Sequence, residues 1–411
     1  MTLIQIQKRK KIIADFILSI LSSLLSIGVL QLLVYPLLSR ILDSELYGQL
    51  LTMMGVVNTI TISLGNTLNN TRLIQNSKYT EEKVIGDFNF LLVCANIIGS
   101  IAMAFFGFLL FDFSISTRIL IIVMVILVIT KAYFIVAYRL LINFKYNLYL
   151  SFTACIGYIL GVYLVNRTGI WPLTFIIPEI FSLFFLLLTS SLHKEPFKLT
   201  HLFKGTATKY IWLISSGLIA NSLTYIDRFI LYPILKGEGV STYYTASFFG
   251  KSFALVLGPI SGVLLSYLSQ VGFKITMKKY LGMVNITLFF TAFFSAVAAF
   301  IAPWITGILY PDYISSAKPY MLLANSASII GIADSICATL VLKYAPIHWQ
   351  LVNQVLYGAV YMILGLILLN AYSLYGFALA VLITNCVRVL VNIIVTGFYI
   401  KRDNIPFINN S

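Results

Sequence analysis

Seven charged side chains stand deep inside long apolar stretches: Lys131, Glu179, Asp227, Arg228, Lys251, Asp334 and Arg388. A charge near the bilayer centre costs about 2.5–3.5 kcal/mol on insertion scales, so it faces a partner or a wet cavity. The four bases suit an anionic ligand, whose desolvation they can offset. The three acids can take up a proton or Na+, or can neutralise a base. Each base also has a plain reading, in which a long side chain snorkels to the interface. Lys131 and Arg388 lie about fifteen residues from one end of their spans, too deep for comfortable snorkelling. Lys251 precedes GPISG at 258–262, where Gly and Pro weaken a helix. Asp227 and Arg228 are adjacent, so on a helix they point about 100° apart and do not simply neutralise each other. Glu179 follows Pro178, which opens the backbone hydrogen-bond ladder. Its carboxyl is either an ion-coupling group or the counter-ion of a buried base, and Asp334 has the same two readings.

A second polar set is periodic. Thr52, Gly55, Thr59, Ser63, Asn66 and Asn70 recur at steps of three or four, which places them on one helix face. In a membrane such a face meets another helix or water. Asn58 lies close to this stripe, and Arg72 stands just past its end, where it could meet an anion.

These residues need a membrane scaffold. The chain has 411 residues, 59% hydrophobic and 10% charged, whereas soluble domains run near a quarter charged. Twelve apolar segments of about 20 residues or more predict twelve spanning helices. They fall near 15–41, 46–71, 87–111, 117–142, 148–166, 169–192, 209–235, 240–270, 280–309, 316–343, 347–370 and 373–400. The net charge of +14 is topological and not a signal for nucleic acid. With the amino terminus inside, Arg40, Arg118, Arg167, Lys236 and Lys318 fall outside. The inner side holds roughly four times as many bases, among them Lys8, Arg9, Lys83, Lys194 and Lys274. Both termini are therefore expected in the cytoplasm. The opening MTLIQIQKRKK and its apolar run lack a small-residue cleavage site, so a first spanning helix is expected there and not a removable signal. Four Cys and three His show no metal spacing, so no metal and no cofactor are expected. A nucleotide-binding glycine loop and a catalytic triad are also lacking, so an enzyme is not expected. Active transport would draw on H+ or Na+ through Glu179, Asp227 or Asp334.

A shift of 193 residues lays YPLLSRILDSELYG over RFILYPILKGEGVS. Leu38, Ile41, Leu42 and Glu45 then meet Leu231, Ile234, Leu235 and Glu238, and Asn58 meets Lys251. Helices one and two map onto helices seven and eight. Six helices is an even number, so the halves form a parallel repeat about an axis along the membrane normal. The expected fold is an all-α polytopic membrane protein with two six-helix lobes, 1–195 and 209–411. The basic stretch 196–208 would be a cytoplasmic linker.

The stretch 34–74, with its YPLLSRIL, its Glu45-x-Tyr47-Gly48 and its polar second helix, resembles the opening of the Wzx-type polysaccharide flippases. These belong to the multidrug/oligosaccharidyl-lipid/polysaccharide transporter superfamily. The resemblance implies a bacterial cytoplasmic-membrane flippase. It would move undecaprenyl-pyrophosphate-linked oligosaccharide from the inner to the outer leaflet for surface polysaccharide synthesis, and a polysaccharide polymerase could act beside it. On that reading Arg72, Lys131, Arg228, Lys251 and Arg388 face the pyrophosphate, and Asn58, Asn66 and Asn70 face sugar hydroxyls. Two other readings stay open. A multidrug or cation antiporter of the same fold would more plausibly present an acidic or aromatic cavity. A membrane glycan polymerase or ligase would need a sizeable outer loop, and none here exceeds about ten residues.

Overall fold

The computed structural model describes residues 18, 21, 22, 24–141, 143–268, 275–346 and 348–403. The basic amino-terminal tail and Lys274 lie outside them, as do the side chains of 258–262. The described residues are all-helical, without strands, and form twelve successive helices.

We number these α1 (24–41), α2 (44–81), α3 (Phe88–Leu110), α4 (Ile115–Leu140), α5 (Phe144–Thr168) and α6 (Leu173–Thr189). They continue as α7 (203–235), α8 (237–268), α9 (Met277–Leu309), α10 (Ile314–Tyr344), α11 (348–371) and α12 (374–403). Among the described residues, seven stretches are long and apolar enough to cross a membrane, and the one at His348–Arg402 holds both α11 and α12. The spans read at 46–71, 209–235 and 240–270 fall short of that measure, and α6 is apolar with 17 residues. Polar residues carried at depth explain the shortfall of α2. The outer faces are apolar: Phe300 is 83% exposed and Trp304 70% exposed on α9, as lipid contact requires.

The chain packs as two compact units, Met1–Gly237 and Glu238–Ser411. In the first, local chemistry sets the helix ends. Asp43 caps α2 by accepting from the Leu46 amide at 2.8 Å, and Ser114 caps α4 by accepting from the Thr117 amide. Gly169 closes α5 in the left-handed conformation. The α7–α8 break falls at Lys236, whose φ is +56°. Asp43 and Lys236 are equivalent under the 193-residue shift, so both halves break their first helix pair at the same residue.

Close backbone contacts lock this unit. Gly157 and Gly161 of α5 make a small-xxx-small pair. A Cβ on Gly157 would stand 2.4 Å from Pro178 Cα, and one on Gly161 2.7 Å from Thr174 Cα, so α5 lies directly on α6. A Cβ on Gly48 would stand 1.8 Å from the Gly237 carbonyl oxygen, so the start of α2 abuts the α7–α8 turn.

In the second unit, Tyr280 of α9 donates to the Ile393 carbonyl of α12 at 2.7 Å and sits in a buried cluster with Ile275, Val284, Leu340 and Ile400. The Gly250 amide of α8 donates to Asn325 Oδ1 of α10 at 2.7 Å. The break between α11 and α12 falls at Tyr372 and Ser373.

Candidate functional site

The deep charges gather into distinct sets inside the two units. In the first, Lys131 of α4 donates to Glu179 Oε1 of α6 at 2.5 Å. Pro178 does not expel Glu179 from the helix; it presses against Gly157, and the carboxyl beside it points to α4. The second oxygen, Oε2, is buried without a hydrogen-bond partner among the described residues. Glu179 is therefore paired with Lys131 in this conformation.

Arg228 and Asp227 lie on α7 and are both buried. Arg228 Nη1 donates to the Leu51 carbonyl of α2 at 2.6 Å, and its guanidinium lies 5.2 Å from the Tyr225 ring centre. Asp227 Oδ1 accepts from the Arg228 amide at 2.9 Å. The polar stripe of α2 meets this same helix. Gly55 leaves room for the Tyr225 and Arg228 side chains, and Asn221 donates to Ser63 Oγ at 3.0 Å. A π-turn at Ile62–Asn66 disturbs the helix ladder beside this contact, and the Leu64 carbonyl within it accepts from Tyr210 of α7 at 2.9 Å. In this conformation the stripe holds α7. Asn66 and Asn70 are exposed beyond it, and Arg139 of α4 bridges Asn69 and Asn70 at 2.6 and 2.9 Å.

Arg72 is built differently. It forks onto Glu195, Nη2 to Oε1 at 2.6 Å and Nη1 to Oε2 at 3.1 Å, and lies 4.3 Å from the Phe88 ring centre. Glu195 belongs to the segment joining α6 to α7, which is fastened to the α2–α3 corner. Asn89 donates to the Glu195 carbonyl at 2.7 Å, and the Asp87 amide donates to the Lys198 carbonyl at 2.9 Å. The Asp87 carboxylate accepts from the Thr200 amide (2.7 Å), the Thr200 hydroxyl (2.5 Å) and the Tyr79 phenol (2.6 Å). Burial pushes the Tyr79 phenol up to about 12, so it keeps the proton it donates. Burial also raises the Glu195 carboxyl above its usual range, with Arg72 pulling the other way. Sequence reasoning passed over Asp87 and Glu195. Glu195 sits among His193, Lys194 and Lys198, which made the segment read only as basic.

In the second unit, Arg388 Nε of α12 lies 3.2 Å from Asp334 Oδ2 of α10. Asn392 donates to Asp334 Oδ1 at 2.7 Å, and Asn353 of α11 donates to Asn392 Oδ1 at 2.6 Å. The Arg388 guanidinium rests 4.2 Å from the Tyr357 ring centre. It opens onto a small pocket lined by Asn353, Tyr357 and Thr384, with Leu356, Val360, Val387 and Val391 as apolar walls. Asn392 stands alone in the apolar run VLVNIIV and was the available signal for this site. Lys251 of α8 is half-buried, 5.4 Å from the Tyr243 ring centre. Among the described residues no cluster of His, Cys, Asp and Glu could hold a metal ion.

No protein-family model matches the chain, and no curated protein does either. Solved structures match it along nearly the whole length. The lipid II flippase MurJ in an inward closed conformation is 18% identical with a TM-score of 0.58, over 96% of this chain and 90% of that one. The Vibrio cholerae MATE transporter VcmN in its bent form is 12% identical with a TM-score of 0.59, over 96% and 97%. A MOP superfamily transporter from Pyrococcus furiosus, described by the reverse polarity of its binding pocket, is 11% identical with a TM-score of 0.61, over 94% and 95%. This chain therefore has the multi-pass helical fold, with about twelve membrane-crossing helices, that lipid II flippases and MATE transporters of the MOP superfamily share.

Proposed function

We propose that the protein is a flippase that moves undecaprenyl-pyrophosphate-linked oligosaccharide across a bacterial cytoplasmic membrane, both termini lying in the cytoplasm. The observation that carries this reading is the Arg388 pocket. Its walls are chiefly apolar, and the charged group on it, Arg388, is paired here with Asp334 and is the one that would turn to a phosphate once the pocket widens. Lys251, Arg228 and Lys131 would extend the cationic path, and the lipid tail would stay in the bilayer. The moving parts are lobes 1–195 and 209–411, joined by 196–208, which rock to give access to one side at a time. On this reading α7 parts from α2 as the cavity opens. The α2 stripe then exchanges its bond to Asn221 for water and sugar hydroxyls. H+ or Na+ would couple through Glu179, Asp227 or Asp334.

Liposomes containing the purified protein and a lipid-linked oligosaccharide test this reading. Transfer between leaflets is expected. Absence of transfer together with export of cationic dyes would sink it and leave the cation antiporter. Arg388→Ala and Lys251→Ala should each abolish transfer while the protein still inserts. Normal transfer by both variants would refute the cationic path.

A further inference from the structure

The Arg72–Glu195 pair lies outside the pocket, and it differs from an ordinary surface ion pair in three ways. Arg72 is more than nine-tenths buried, its Nε has no hydrogen-bond partner among the described residues, and its anion comes from a connecting segment, not from a neighbouring helix. A carboxylate has two oxygens, and Nη1 and Nη2 take both. A phosphate can take the same fork with more charge, or turn to the side edge of the guanidinium and use the spare Nε–H together with one Nη. We propose that Glu195 is an internal stand-in for a phosphate. At rest its carboxylate fills the Arg72 site. A phosphate arriving from the cytoplasmic side takes its place and frees the 191–197 stretch. This rests on the reading that the protein takes up a phosphate-bearing lipid from the cytoplasm.

The fold limits how far the release spreads. Glu195 is held by Arg72 on its side chain and by Asn89 on its carbonyl. Thr200 is held separately by Asp87, through both its amide and its hydroxyl. Displacing the Glu195 carboxylate therefore loosens 191–197 and leaves the Thr200 anchorage in place. The freed carboxylate is only 15% exposed at rest, but it lies between a short turn at Leu192–Lys194 and Pro196, from which it can turn to water. The segment leads towards α7, whose own anchorage through Lys198 and Thr200 stays in place, so phosphate capture loosens the connection on the α6 side only.

Amide hydrogen exchange on the full chain in nanodiscs tests this, read on peptides covering 190–197 and 198–206. Inorganic pyrophosphate should speed exchange in 190–197 about tenfold, the scale of losing one charge-assisted contact. Exchange in 198–206 should stay unchanged. Glu195→Gln should show the fast rate without pyrophosphate, and Arg72→Lys should blunt the response. Phosphatidylcholine discs with and without phosphatidylglycerol separate the two phosphate sources. Acceleration by phosphatidylglycerol alone assigns the site to membrane phosphate, and acceleration by pyrophosphate assigns it to a free headgroup; either supports the stand-in. No acceleration from either source, or equal acceleration by NaCl at matched ionic strength, overturns it. Leaflet transfer measured on the same preparation separates the two ideas. Transfer without acceleration refutes the stand-in and leaves the flippase standing. Acceleration without transfer supports the stand-in and refutes the flippase.

Discussion

Lys131→Met should destabilise the protein by about 3–5 kcal/mol, the range for removing one partner of a buried ion pair. Glu179 is 4% exposed, one of its oxygens already lacks a hydrogen-bond partner, and the other relies on the Lys131 ammonium. Without that ammonium the carboxylate stays charged in an apolar setting or takes up a proton, and both routes cost free energy. The double variant Lys131→Met, Glu179→Leu should recover most of the loss, because apolar residues of similar volume replace buried pairs at little net cost. Thermal unfolding in one detergent measures both variants. If the single variant is as stable as the parent, the pair is not a structural counter-ion arrangement. A well-folded double variant that has lost leaflet transfer would assign a functional role to the Lys131–Glu179 pair as a unit.

Gly48→Val should cost about 3 kcal/mol or more, at or above the upper end for forced overpacking. The Cβ would meet the carbonyl oxygen, carbon and Cα of Gly237 at 1.8, 2.3 and 2.5 Å. All three are backbone atoms, so no side chain can swing aside. Relief requires parting the first turn of α2 from the α7–α8 turn. Gly237→Ala should fail for the converse reason, since its Cβ would lie 2.0 Å from the Glu45 carbonyl oxygen. Gly107→Ala in α3, with nothing within 4 Å of the added atom, is the control and should be neutral or slightly stabilising. A melting temperature for Gly48→Val equal to that of Gly107→Ala would show that the two turns do not press together.

Much of this fold is legible in the sequence, because apolar stretches of spanning length announce themselves one at a time. The 193-residue shift also finds its counterpart, as Asp43 and Lys236 mark the same break in each half. Other features resist reading for physical reasons. Lys236 and Ser373 adopt positive φ, a conformation that glycine would have advertised and that these residues do not. Depth singles out Lys131 and Glu179, yet their pairing depends on how α4 and α6 rotate about their axes, 48 residues apart. Arg72 and Glu195 meet across 123 residues, through a segment whose path no periodicity encodes. The α2 stripe is plain in the sequence. Its partner is not, because periodicity says which residues share a face and not what that face touches.

The two deep ion pairs have an electrical consequence. Lys131 is paired with Glu179 within one compact unit, and Arg388 with Asp334 within the other. Each base thus travels with its own acid whenever its unit moves. An unpaired elementary charge carried across the membrane exchanges about 2.3 kcal/mol with a potential of 100 mV, whereas a neutral pair carried as a body exchanges almost nothing. From these four residues the resting potential gains no lever on the empty protein, and voltage acts on them only when an arriving anion separates a base from its acid.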